Sequence, residues 1–228
     1  WFKARDSQGS IQKNETVRPE ENFVTSLALG KQVTRRLSLR TEAAMGAITE
    51  DIRAEKHPDP FFDAIPFLFE RRLSSSFHLA VNARVQYQLK KNALLGLVYE
   101  RVDPGYRTLG AWYFNNNQES AFMTGAFVVA KKVKATVQAG FQRNNIDNRE
   151  LRSMNRLSGS LQINHQVNKN FSYHGGFSTF QTLINFRPQL EQGSAMPDTL
   201  DLHHVARSGN LNTSWLLSSS KQFRQQLT

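Results

Sequence analysis

A chain of 228 residues with 39% hydrophobic residues and a mean hydropathy of -0.51 contains no window of eighteen apolar residues, which excludes helical membrane spans. The absence of cysteine excludes disulfides and thiolate chemistry. A formal net charge of +10 calls for partners of negative sign, among them lipopolysaccharide phosphates, anionic lipid, nucleic acid or an acidic protein, although solvated turns can carry the same charge.

Residues 1–21 are polar, lack a sustained period and include Gly9, Ser10, Asn14 and Pro19, so they read as a linker or loop. From Asn22 the pattern changes. Phe23, Thr25, Leu27 and Leu29 alternate with Val24, Ser26 and Ala28, and a Gly-containing polar turn over Gly30–Arg36 leads into a return strand. On that strand Leu37, Leu39, Thr41, Ala43 and Met45 oppose Ser38, Arg40, Glu42, Ala44 and Gly46. Between Ile48 and Ser75 the alternation breaks into charges, prolines and the aromatic run Phe61–Phe69, a length that suits a long rim loop.

The cleanest alternation follows. Phe77, Leu79, Val81, Ala83, Val85, Tyr87 and Leu89 fall on one face of an extended chain, and His78, Ala80, Asn82, Arg84, Gln86 and Gln88 fall on the other. Thirteen residues at roughly 3.3 Å each run about 43 Å, or about 33 Å along an axis tilted by around 40°, which is bilayer thickness. Strands of soluble domains usually stop at about five or six residues. A strand this long with one greasy and one wet face asks for lipid on one side and water on the other.

Lys90–Asn92 form a tight turn into Ala93–Glu100, after which Asp103-Pro104-Gly105 and Asn115–Asn117 mark two further turns. The intervening Tyr106–Phe114 is expected to be a loop, since a spanning strand there would put the later short turns on the wrong rim. Strands around Phe122–Val128 and Val133–Gln142 flank Lys131-Lys132, and a polar connection over Arg143–Arg156 precedes a clean alternation over Leu157–Val167. Asn168–Asn170 turn the chain into Phe171–Ser178, a long loop covers Gln181–Ser208, and a last pair of strands turns near Ser220 and Lys221. Short turns near residues 33, 91, 132, 169 and 221 alternate with long connections, and each carries Lys or Arg.

The expected fold is therefore all-β, an antiparallel transmembrane β-barrel of about 10–12 strands over residues 22–228, incomplete at the C-terminus or a portion of a larger barrel. Closure matters because lipid offers edge N–H and C=O groups no partner. Phe77, Tyr87, Tyr99, Phe141, Phe171, Tyr173 and Trp215 lie near strand ends, where interface girdles form. Arg40, Glu42, Arg84, Glu100 and Lys134 lie on polar faces, where they either polarise a narrow pore or brace a filled interior. Arg143, Arg149, Arg152 and Arg156 are candidates to contact lipopolysaccharide phosphates. No zinc-type histidine spacing, nucleophile elbow or phosphate loop occurs, so neither an enzyme nor a cofactor or metal is expected. Aromatics interleaved with the loop arginines, as a nucleic-acid groove needs, are missing.

The alternating segments, the rhythm of short and long connections and the girdle aromatics resemble an outer-membrane β-barrel protein of a Gram-negative bacterium over roughly Asn22 to Leu227. The segment Asp103–Asn117 is similar to one in uncharacterised barrels of this kind. This resemblance implies a bacterial outer-membrane location and contact with outer-membrane lipid and lipopolysaccharide. The expected role is a structural or scaffolding component of a membrane assembly, in contact with other outer-membrane or periplasmic proteins. A narrow pore for small solutes and a soluble β-sandwich adhesin or binding module are the alternatives.

Overall fold

The computed structural model describes residues 1–6, 18–110, 115–129, 132–186, 201–219 and 224–227. They form eleven strands in one sheet whose spatial order is the order of the sequence. The strands are β1 (Phe2–Arg5), β2 (Glu21–Gln32), β3 (Leu37–Thr49), β4 (Ser75–Lys90), β5 (Ala93–Val102) and β6 (Gln118–Val129). They continue as β7 (Val133–Asn144), β8 (Arg152–Gln166), β9 (Phe171–Phe186), β10 (Asp201–Ser219) and β11 (Arg224–Leu227). One helical turn, α1 (Pro60–Asp63), interrupts the β3–β4 connection. The all-β expectation is met, and every register described is antiparallel.

Four features differ from the sequence reading, the first being that Gln181–Phe186 and Asp201–Ser208, expected within a long loop, are paired strand in β9 and β10, because strand pairing carries on past the point where the apolar alternation fades. Closure into a barrel is absent among the described residues: the ladder runs from β1 to β11 without returning. The physical reason lies at its ends, since β1 and β11 have four residues each against 16 in β4 and β9, too few to seal a ring of long strands. The polar segment before Asn22 is not all loop, because Phe2–Arg5 pairs with β2 from Phe2↔Val24 to Arg5↔Glu21. The stretch after Ile48, expected as a rim loop, carries much of the buried core. Tyr106–Gly110 form no strand, as expected, while 111–114 and the turn near Ser220 and Lys221 lie outside the described residues.

The chain divides into two compact units. The first comprises Trp1–Leu29, Thr41–Asn82 and Glu100–Gln118. Its core gathers Phe23 of β2, Ala47 of β3, and Phe62 and Phe69 of the β3–β4 connection, with Leu68 packed against them. Asp59 starts α1 by accepting bonds from the Phe61 and Phe62 amides, which turns the aromatic run inward. Gly46 lets the Tyr106 ring close on β3, since a Cβ there would meet the ring at 3.2 Å. Three polar side chains, Glu21, Asn22 and Thr49, are fully buried in this unit. Asn22 donates to the carbonyls of Ala47 and Arg107 and accepts from the Leu109 amide, so a single amide ties β2, β3 and the loop before residue 110. Glu21 faces Lys3 Nζ at 3.2 Å across β1 and β2.

The second unit comprises Gly30–Arg40, Ala83–Tyr99 and Glu119–Thr228. Here β7, β8, β9 and β10 are aligned without slippage over their shared lengths, as in the row Ala135↔Ile163↔Gly175↔Leu211. Register this regular follows from the strict period of two, because a one-residue slip would exchange the two faces. Ring packing across β6 and β7 uses a missing side chain: a Cβ on Gly140 would meet Ala121 O at 2.6 Å and collide with the Phe122 ring.

Replacing Asn22 with Leu is expected to lower stability by about 2–3 kcal/mol, since the buried Ala47 carbonyl and the part-buried Arg107 carbonyl and Leu109 amide lose their partner. Urea denaturation of the two forms in the same detergent checks it, and an unchanged midpoint would contradict the role assigned to Asn22.

Candidate functional site

The distinctive feature of the second unit is the pair of faces that β7–β10 present. One face carries the rows Val133–His165–Tyr173–Thr213, Ala135–Ile163–Gly175–Leu211, Val137–Leu161–Phe177–Gly209 and Phe141–Leu157–Gln181–Val205. The other carries Lys134–Asn164–His174–Asn212, Thr136–Gln162–Gly176–Asn210, Gln138–Ser160–Ser178–Ser208 and the less polar row Gly140–Ser158–Phe180–Ala206. The first face is largely apolar and uncovered: Leu157 is 57% exposed, Phe177 51%, Leu211 71% and Trp215 56%. Arg207, in the row Ala139–Gly159–Thr179, is an exception on that face, and nothing in the structure explains it.

The wet face is knitted by side chains. Ser178 Oγ and Ser208 Oγ lie 2.7 Å apart across β9 and β10, and His174 Nδ1 lies 2.5 Å from Asn164 Oδ1 across β8 and β9. Near the short turns this face forms a hollow lined by Lys134, Asn164, Gln166, Ser172, His174 and Ser214. A second hollow brings Arg40 and Arg84 together with Gln32, Ser38 and Gln86. Neither guanidinium makes an ion pair among the described residues.

The five polar-face charges separate by unit. Arg40, Arg84 and Lys134 belong to the second unit, and Glu42 and Glu100 to the first. Glu100 shares the β5 face of Gly96, where a Cβ would press on Thr124 Oγ1 at 2.5 Å. Burial, reinforced by the Glu42 charge, raises the Tyr106 phenol above its ordinary value.

The aromatic candidates have individual fates. Phe77 stacks on Phe62 with centroids 5.3 Å apart, meets Phe69 edge-on and lies under the Arg71 guanidinium, so it belongs to the folded connection of the first unit. Tyr87 and Phe141 are exposed. Tyr99 donates to Glu119 at 2.6 Å, Tyr173 O–H lies 2.8 Å from His165 Nδ1, and Phe171 meets Trp215 edge-on at 6.3 Å. The loop arginines do not gather. Arg143 pairs with Glu119 and Arg149 with Asp147, Arg152 lies over the Phe186 ring, and Arg156 sits on β8.

The feature that alternation missed is the charged lacing of the β3–β4 connection. Arg53 holds Asp51 through two hydrogen bonds of 2.9 Å, Arg71 pairs with Asp59, and Lys56 and Arg72 both grip Glu70. The sequence signal was present in the alternating signs from Glu50 to Arg72, which has no period of two to read. Among the described residues no group of His, Asp or Glu is arranged to hold a metal ion. No protein-family model and no curated protein matches the chain.

These pairs set a pH dependence. The Arg53 guanidinium holds Asp51 down to about 2, Arg71 lowers Asp59, and Lys56 lowers Glu70. Carboxyls depressed in the folded state add stability that is present above the ordinary value near pH 4 and lost as pH falls through their folded values. Peptic cleavage within 48–75, normalised to an unstructured peptide of the same sequence, is therefore expected to rise as pH drops from about 4 to about 2. A flat profile would contradict the lacing.

Proposed function

We propose that the chain is wall of an outer-membrane β-barrel of a Gram-negative bacterium, acting as a structural and scaffolding component of a membrane assembly. The observation that carries this reading is the uncovered, largely apolar face of β7–β10 backed by a largely polar one, on which Phe180 and Ala206 are the apolar exceptions. In water an apolar patch of this extent invites association; in a bilayer it is the required surface. A β-sandwich would cover it with a second sheet, and all eleven strands belong to one.

Dimensions support the reading. From the Phe171–Trp215 row to the row containing Phe141 and Gln181 the β9 chain advances ten residues, about 33 Å, or about 25 Å at a tilt near 40°, the height of the apolar band in such barrels. Aromatic side chains stand at both limits of that band. Such a wall needs its edge N–H and C=O groups paired, since lipid tolerates no open edge.

The scaffolding part rests on the folded β3–β4 connection of the first unit. It is too well packed for a passive loop, yet it leaves Phe61 and Phe67 on its surface, where a partner protein can bury them.

Detergent-extracted protein run on a gel without boiling is expected to migrate as a compact species that shifts after boiling, and gentle-detergent purification is expected to bring a second polypeptide. Protein found in the soluble fraction with no heat-dependent shift would overturn the barrel. Recovery of this polypeptide alone would overturn the scaffold and leave the barrel standing.

A further inference from the structure

The short turns hold a charge distribution that the membrane reading does not require. Of the 19 acidic residues none lies within Gly30–Arg40, Ala83–Tyr99, Ser120–Ile146, Leu151–Phe186 or Leu202–Thr228, segments that make up most of the second unit and include all of its short turns. Its turns carry Lys31, Arg35, Arg36, Lys90, Lys91, Lys132 and Lys169, all exposed, and none makes an ion pair among the described residues. The four described acids of this unit, Glu119, Asp147, Glu150 and Asp201, stand at the opposite strand ends. Lys134 and Arg143, the partner of Glu119, are nine residues apart on β7, about 30 Å in an extended strand. That is several Debye lengths of about 8 Å, so those acids do not neutralise the turns.

The turns are also fixed to one another's hairpins. Arg36 O accepts from the Gln88 amide at 2.7 Å, Asn92 O from Val128 at 2.8 Å, Lys132 O from Gln166 at 3.1 Å and Asn170 O from Leu216 at 2.7 Å. Each bond extends a turn onto the strand of the next hairpin, so four consecutive turns form one continuous rim. Neighbouring turns are two strands apart, about 10 Å, and the cations repeat at that interval. Side chains reinforce the staples: Asn92 Nδ2 donates to Val128 O and Lys132 Nζ to Val167 O, both at 2.8 Å.

We infer that this turn rim binds the phosphoryl headgroups of anionic phospholipid in the leaflet it touches. The inference rests on the membrane reading above and moves the anion contact from Arg143–Arg156, where the arginines are paired or dispersed, to the opposite ends of the strands. A lipid surface fits better than a single anion, because the cations are spread along an edge at even spacing and converge on no pocket. Near a negatively charged leaflet each such cation is worth about fivefold in affinity.

The test uses the chain folded in zwitterionic detergent micelles, with circular dichroism reporting β structure and amide resonances reporting binding. Short-chain phosphatidylglycerol is expected to shift the amides of Lys90–Asn92 and Asn168–Asn170 at concentrations at least tenfold below those needed with short-chain phosphatidylcholine. Inorganic phosphate should leave them in place, and Asn145–Asn148 should not respond to either lipid. In Lys90→Gln/Lys91→Gln the response at that turn should weaken about fivefold or more while the Asn168–Asn170 response persists. A chain that gains no β structure in micelles overturns the membrane reading and the rim with it. With β structure present, equal responses to the two lipids overturn the rim alone, and shifts reproduced by inorganic phosphate show a free-phosphate site in place of a lipid contact.

Discussion

Everything in the second unit depends on an apolar sheet face whose side chains stand exposed, among them Leu157, Phe177 and Leu211. A β-sheet satisfies its backbone through the ladder, so its solvent is decided by side chains, and on β7–β10 those side chains divide by parity with few exceptions, Arg207 and Phe180 among them. Leu157, Phe177 and Leu211 on one side, Gln162, Ser178 and Ser208 on the other, leave no room for a conventional interior. The protein puts its buried core elsewhere, in the first unit around Phe23, Phe62 and Phe69.

That separation gives the chain two kinds of stabilisation. In the first unit, tertiary contacts decide: Asn22 joins three backbone segments, Lys3 reaches the buried Glu21, and opposite charges lace the connection around α1. In the second unit the ladder itself decides, joined by ring contacts such as Phe171 with Trp215 and by the close approach of Phe122 that Gly140 admits. A substitution therefore acts through different physics according to where it falls, as lost polar satisfaction in the first unit and as altered face chemistry in the second.

Legibility in the sequence followed the same division. Strands of the second unit were readable where a period of two holds, since it is a local property, and the tight turns at Lys90–Asn92 and Asn168–Asn170 came with it, whereas Gln181–Phe186 and Asp201–Ser208 lack that period and read as loop although they pair as strand. Faces were less readable where both sides are apolar: on β6 the Phe122 ring lies over Gly140, a relation set by a neighbouring strand. Phe77 looked like a girdle residue because its spacing matched, whereas its partners Phe62, Phe69 and Arg71 come from a segment without periodicity. The pairing of Phe2–Arg5 with β2 was invisible for a related reason, since four residues cannot establish a pattern and their partner lies beyond a long connection.

The central claim is that the two faces of β8 meet different solvents. The natural chain has no cysteine, so single replacements report without background. Six variants in lipid vesicles, Leu157→Cys, Leu161→Cys and Ile163→Cys on the apolar face and Ser158→Cys, Ser160→Cys and Gln162→Cys on the polar face, would be exposed to a membrane-impermeant maleimide. The account predicts labelling that alternates residue by residue, fast at 158, 160 and 162 and at least about tenfold slower at 157, 161 and 163. Equal rates at all six positions, or faster labelling of the apolar set, would contradict it.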